Sequence, residues 1–267
     1  MPFPLFLVHE GRCGSTVLTS YLNNPPSVLA LNEVLTPGVW LPPSIQTVWL
    51  TRRDREQIKG DMYRFLYDLI GALTSDIGCA IIELKFNQLP QDRSSVAHLD
   101  KLRQTFPLSR IVVLVRENTL ARTISHLRCV NLNIVHCNVT QSVPDGKVVV
   151  DDACIPDFAY EPHVKYELLD LLVVDEARHH MLCRVCCAWG MLYLTYESFQ
   201  ASVLQGATRI QIFASLTAHT GFVKYVQTGN GMLDDLIENA SRIRENLKGS
   251  TFEWMGEKAR IAKIIDT

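Results

Sequence analysis

Between an apolar run, Leu5 to Val8, and a segment with helical spacing (Val17, Leu18, Tyr21, Leu22) stands His9-Glu10-Gly11-Arg12-Cys13-Gly14-Ser15-Thr16. These residue types, at this spacing, suit the holding of an oxyanion. A buried strand, a tight loop and a helix in that order aim backbone N–H groups and the positive end of a helix dipole at one spot, which favours phosphate or sulfate. Arg12 adds a charged fork, and Ser15 and Thr16 add hydroxyl donors. The loop reads as an anion cradle.

What the loop lacks narrows the chemistry. A Walker loop requires Gly-x-x-x-x-Gly-Lys-Ser/Thr. Aligning Gly14-Ser15-Thr16 to its end puts His9 at the first glycine and Ser15 at the lysine. A kinase-like phosphotransferase acting on Mg·ATP is disfavoured by that missing lysine, although it stays as an alternative, as does a nucleotide-binding module without catalysis. The stretch resembles the 5′-phosphosulfate loop of the sulfotransferases that use 3′-phosphoadenosine 5′-phosphosulfate (PAPS). In that family Arg-Ser-Gly-Ser/Thr-Thr replaces the Walker residues; here it stands as Arg12-Cys13-Gly14-Ser15-Thr16, with Cys13 the departure.

The resemblance extends along the chain in the family's order. Arg116-Glu-Asn-Thr-Leu-Ala-Arg-Thr-Ile-Ser125 is similar to the Arg-x-Asn-Leu-Leu-Arg-x-x-x-Ser form of bacterial carbohydrate sulfotransferases, which implies that Arg116 and Ser125 bind the 3′-phosphate. A guanidinium and a hydroxyl so placed can grip a dianion. Thr195-Tyr196-Glu197-Ser198 resembles the Tyr-Glu-Asp-Leu element beside the adenine, implying a base contact for Tyr196. Lys224, before a C-terminal helix, is implied as a further nucleotide contact.

The family also implies a metal-free transfer of the sulfuryl group to an acceptor hydroxyl, with PAP as product. Its usual base, a histidine in Lys-x-His-Leu-Pro, is missing, since this chain reads Lys85-Phe86-Asn87-Gln88-Leu89-Pro90. Other carbohydrate sulfotransferases use a glutamate after the second strand, and Glu33 stands there. The expected catalytic set is therefore Glu33 as base with Arg12 and Lys85 stabilising charge, and His9 as an outside candidate. The expected acceptor is a small molecule or glycan, on the carbohydrate or glycolipid side.

The elements that must position these residues alternate. Strands are expected at 5–8, Val28 to Leu31, Cys79 to Lys85, Arg110 to Val115 and Met191 to Thr195. Helices are expected over Asp61 to Leu73, Val96 to Phe106, Thr119 to Cys129, Glu161 to Trp189, from Tyr196 to about Leu204, and over Leu233 to Leu247. This pattern predicts an α/β fold, a central parallel sheet flanked by helices, with ligands beyond the carboxyl ends of the strands. Residues 36–56 read as an irregular loop, and 130–160 as an inserted lid with a β-like run at 147–150.

At 267 residues, 47% hydrophobic and 20% charged, the chain is expected to form a single domain. A net charge of −2 argues against a general nucleic-acid binder. No apolar run approaches the roughly 20 residues that span a bilayer, and the first strand begins too early for a leader, so a cytoplasmic location is expected. The eight cysteines are scattered through apolar segments and are expected to be reduced core residues, with those at 183, 186 and 187 on the buried face of a helix. Cys183-x-x-Cys186 near His179 and His180 lacks the second pair that a zinc site needs.

Overall fold

A computed structural model describes residues 2–35, 61–90, 94–131, 146–200, 202–217 and 233–257. In chain order the elements are β1 (Phe3–His9), α1 (Ser15–Leu22), β2 (Val28–Leu31), α2 (Met62–Gly71), β3 (Cys79–Lys85), a 3-10 turn (Phe86–Gln88), α3 (Ser95–Thr105), β4 (Arg110–Val115) and α4 (Thr119–Asn131). There follow β5 (Ile155–Pro156), β6 (Lys165–Tyr166), α5 (Leu168–Trp189), β7 (Leu192–Thr195), α6 (Tyr196–Gln200), α7 (Val203–Ala214), α8 (Leu233–Leu236), α9 (Ala240–Leu247) and α10 (Glu253–Glu257).

The sheet runs β2-β3-β1-β4-β7, and every pairing in it is parallel. Its strands are continuous apolar runs because both faces are covered, as a parallel sheet requires. Alternation along each strand assigns the faces. Phe6, Val8, Ile82, Leu84, Val113 and Val115 pack with Phe65, Leu69, Leu99, Leu102 and Leu182 of α2, α3 and α5. Leu5, Leu7, Ile81, Val112 and Leu114 pack the other way, with Leu18 and Leu22 of α1 and Ala207 and Ile210 of α7. Each such fully buried side chain contributes about 1.5–3 kcal/mol of transfer free energy.

The position of β1 organises the site. It lies between β3 and β4, so the loop that leaves its carboxyl end is flanked by the loops that leave theirs. His9 pairs with Lys85 on one side and with Leu114 on the other, which brings Lys85 and Arg116 to opposite flanks of the cradle.

A second core lies beside the sheet. Leu120 and Ile124 of α4 meet Val148, Val150 and Ile155, Leu168, Leu171 and Leu172 of α5, and Leu236, Ile243 and Leu247 of α8 and α9. Here the expected outline changes. The lid reading falls partly on residues 132–145, outside the described residues, as do 36–60. The described part, 146–166, is packed down: β5 pairs antiparallel with β6, and Val148 bridges to Ile237. That pairing delays the long helix, which begins at Leu168 rather than Glu161. The C-terminal helix is two short ones, separated where Glu238 N–H donates to Val148 O and Asn239 holds both polar groups of Val150. Beyond α6 the chain turns at Ser202, whose hydroxyl accepts from Gln205 N–H and starts a separate helix, α7.

Candidate functional site

The loop after β1 curls because three of its residues are left-handed: Gly11 (φ 78°), Arg12 (φ 54°) and Gly14 (φ 79°). Such a curl turns successive N–H groups toward one centre. Gly14 starts α1 without a side-chain cap, and no acidic residue stands in the first turn. Among the described residues, the N–H groups of Cys13, Gly14, Ser15 and Thr16 donate to no protein acceptor. A helix start left open in this way is suited to an anion. Gly14 is required twice over, since a Cβ there would also come within 3.0 Å of the Tyr196 ring.

The expected cationic residues gather around this loop. Lys85, at the end of β3, lies along Gly11, with Cδ and Cε 3.9 Å from where a Cβ would stand. Its Nζ is 2.7 Å from Glu33 Oε1. Glu33 is itself left-handed, at φ 45°. Arg12 Nε donates to Ser125 Oγ at 3.1 Å. Arg116 Nη1 donates to the Arg12 carbonyl at 3.2 Å, and its guanidinium lies 4.7 Å from the centre of the Tyr196 ring. Arg116 is only 5% exposed, yet its buried Nε has no hydrogen-bond partner among the described residues. Burial, with Arg12 nearby, lowers the pKa of that guanidinium. An orphaned donor inside a cationic pocket is what a site built for a polyanion presents when only protein contacts are counted.

Arg12, Cys13, Gly14, Ser15, Thr16, Glu33, Lys85, Arg116, Ser125 and Tyr196 are thus brought to one end of the sheet, whereas Lys224 lies outside the described residues. Two details differ from the expectation. Ser125 is held by Arg12, so Arg116 and Ser125 meet through Arg12 rather than side by side. Ser15 is buried, and its hydroxyl lies near the buried Glu83 carboxylate, a neighbour that the loop sequence does not show.

Several residues that hold the site gave no signal in the sequence. Glu10 is fully buried and accepts from Arg116 N–H (2.9 Å) and the Tyr160 hydroxyl (2.8 Å), with His179 Nε2 at 2.7 Å and Arg122 Nη1 at 2.7 Å. Burial alone would raise its pKa, but the charges of Arg122 and His179 hold the carboxyl well below the usual range. Arg122 also pairs with buried Asp175. Glu197 accepts from the N–H groups of Glu117 and Asn118, at 3.0 and 3.1 Å, and so fixes the turn that carries Arg116 into α4. The Asn118 side chain then accepts from Ala121 N–H as the helix cap. A useful signal was available only for Glu197, inside the Tyr196-Glu197 pair.

Neither a family model nor a curated protein matches the chain. Solved structures do. Those it resembles are sulfotransferases. A sulfotransferase from Alicyclobacillus acidocaldarius is 16% identical over 92% of this chain and 90% of that one, with a TM-score of 0.48. The sulfotransferase domain of the Synechococcus PCC 7002 olefin synthase is 14% identical over 100% and 90%, also at 0.48. Mouse sulfotransferase SULT7A1 complexed with PAP is 13% identical over 81% of this chain and 60% of that one, at 0.37. A likeness of this degree transfers no residue's role.

His9 is no free base. It is 1% exposed, with Nε2 3.0 Å from Glu83 and Nδ1 accepting from Gly11 N–H at 3.0 Å. The described cysteines are all free. Cys13, Cys79 and Cys186 are buried, but Cys183 is half-buried and Cys187 exposed, so the Cys183–Cys187 run straddles the helix edge rather than filling its buried face. Among the described residues no group of His, Cys, Asp and Glu is arranged to hold a metal, and no helix is long and apolar enough to cross a membrane.

Proposed function

We propose that this protein transfers the sulfuryl group of PAPS to a hydroxyl of a small-molecule or glycan acceptor, carbohydrate or glycolipid in class. The observation that carries the reading is the uncapped, left-handed loop at the start of α1, with Arg12, Lys85 and the half-satisfied Arg116 around it and serine where an ATP-cleaving loop needs lysine. The loop amides and Arg12 hold the phosphosulfate end. Arg116 and Ser125 serve the 3′-phosphate, and Tyr196, already stacked under Arg116, borders the adenosine.

In the transfer, the acceptor oxygen forms a bond to sulfur as the bond from sulfur to the bridging phosphate oxygen breaks. PAP leaves with that electron pair, and the acceptor's proton passes to Glu33. Lys85 and Arg12 offset the charge that grows on the bridging oxygen. The Lys85–Glu33 pair supports a sequence for this: an anion in the cradle competes for the ammonium and releases the carboxylate to act as base. No metal is required in this scheme. The test is incubation with PAPS and a panel of sugars, glycolipids, alcohols and phenols, with mass spectrometry for a sulfated product. Calorimetry alongside compares PAP with ATP. Sulfated product together with a preference for PAP supports the reading; tight ATP binding with no affinity for PAP refutes it.

A further inference from the structure

His126 follows Ser125 on α4 and enters none of the roles above. Its ring lies flat on Phe158, with centroids 4.0 Å apart and planes at 21°. Phe158 is itself fixed, because Asn87 Nδ2 donates to its carbonyl at 2.7 Å. His126 and Phe158 line a water-sized cavity whose other walls include Glu10, Gly11, Arg12 and Arg122. Among the described residues the imidazole makes no hydrogen bond, unlike His9, His98 and His179, whose ring nitrogens are engaged. The ring is half-buried and held in one orientation against the cradle, with nitrogens that no described protein group occupies and that a ligand can therefore reach.

We propose that His126 is a further anion-binding residue of the cradle, hydrogen-bonding a phosphate or sulfate oxygen beside Arg12 and Lys85. The charges that face it come from several elements: Arg12 from the loop after β1, Lys85 from the end of β3 and Arg122 from its own helix. Glu10, which lines the same cavity, is spent on Arg122 and His179, and Asp157, next to Phe158, is turned to Arg178. Burial and then these three cations hold the imidazole neutral, with its pKa down at about 4. An oxyanion in the cradle offsets Arg12 and Lys85, so the imidazole gains a proton and donates it to the ligand as a charge-assisted hydrogen bond. Anion binding and proton uptake at His126 are then two sides of one equilibrium.

This inference shares with the proposed function the premise that the cradle is an anion site, and the experiment separates them. The full chain, isotope-labelled at histidine, is titrated with pH by NMR in the absence of ligand, with saturating inorganic pyrophosphate, and with saturating PAP. His126→Gln assigns the resonance. The expected result is an upward shift of the His126 titration by about three pH units with either ligand, which is what a tenfold contribution to affinity at pH 6 requires. Pyrophosphate affinity in His126→Gln should fall about tenfold at pH 6 and less at pH 7.5. If the variant folds poorly, the wild-type titration decides alone. A His126 titration unchanged by saturating pyrophosphate overturns the inference, as does a folded variant that binds pyrophosphate as the wild type does. A shift with pyrophosphate but no affinity for PAP leaves the inference standing and sinks the sulfotransferase reading.

Discussion

Arg122→Ala should be the most damaging single truncation near the site, and its effect should fall on folding before it falls on ligand selectivity. Arg122 is 5% exposed and is shared by two carboxylates, Glu10 and Asp175, whose side chains are both fully buried. Glu10 keeps His179 and Tyr160, and Asp175 keeps Arg178 at 3.3 Å, so neither is abandoned outright. Even so, the pair loses the cation that lies between them. Breaking a buried pair by removing one partner costs about 3–5 kcal/mol. Set against a total stability of about 5–15 kcal/mol, that is a fifth or more of what holds the chain folded. A midpoint shift on the order of 10 °C should follow at this chain length. Urea denaturation at pH 7.5, monitored by fluorescence, gives the magnitude. The same curves at about pH 4 and below, under the ordinary glutamate range, give the mechanism. Without Arg122, the Glu10 pKa rises toward its ordinary value, so the stability that its ionised form supplies is lost at a higher pH than in the wild type. In Glu10→Gln/Arg122→Met, which removes one of the two carboxylates that Arg122 serves while Asp175 keeps Arg178, part of the loss should be recovered. A loss below about 1 kcal/mol for Arg122→Ala, flat with pH, would refute the account of Glu10 as a carboxylate held ionised by its neighbours.

Gly14→Ala combines a left-handed backbone penalty of about 1–2 kcal/mol with overpacking against Tyr196 of about 1–3 kcal/mol, and should both lower the melting temperature and weaken pyrophosphate binding. Arg116→Ala should cut the preference for PAP over AMP by about ten- to a hundredfold, as measured by calorimetry, because a charge-assisted contact is worth about 1.5–3 kcal/mol; an unchanged ratio removes Arg116 from the 3′-phosphate site. Glu33→Gln should hold PAP affinity within a few fold and lower turnover about a hundredfold or more. Turnover at the wild-type rate on any accepted substrate means Glu33 is not the base.

The strands were legible because each is a continuous apolar run with a sharp polar edge: Val28–Leu31, Cys79–Lys85 and Arg110–Val115 stand where the sequence puts them. With them came the loop after β1 and the residues just past β3 and β4. Less legible was whatever depends on a distant partner. The start of α5 moved by seven residues because Lys165–Tyr166 pairs with Ile155–Pro156, a contact with no local signature. Glu10 looked like a loop residue; its partners Tyr160 and His179 are 150 and 169 positions away. His126 is not legible although it stands next to Ser125, since a lone histidine on a helix says nothing until its neighbours are known. The periodicity over Leu233–Leu247 was real, but Asn239 spends its side chain on Val150 and divides the helix.

The backbone at Arg12 and Glu33 carries a consequence for how such a protein changes under selection. Both side chains sit in a conformation that costs a non-glycine residue about 1–2 kcal/mol, and asparagine or glycine would sit there with less strain. A population selected for heat resistance alone is therefore drawn to asparagine or glycine at positions 12 and 33, the two positions where the proposed chemistry needs a guanidinium and a carboxylate. Thermal robustness and turnover pull against each other at the same two codons, so retaining arginine and glutamate there in a lineage that adapts to heat marks selection for the reaction itself.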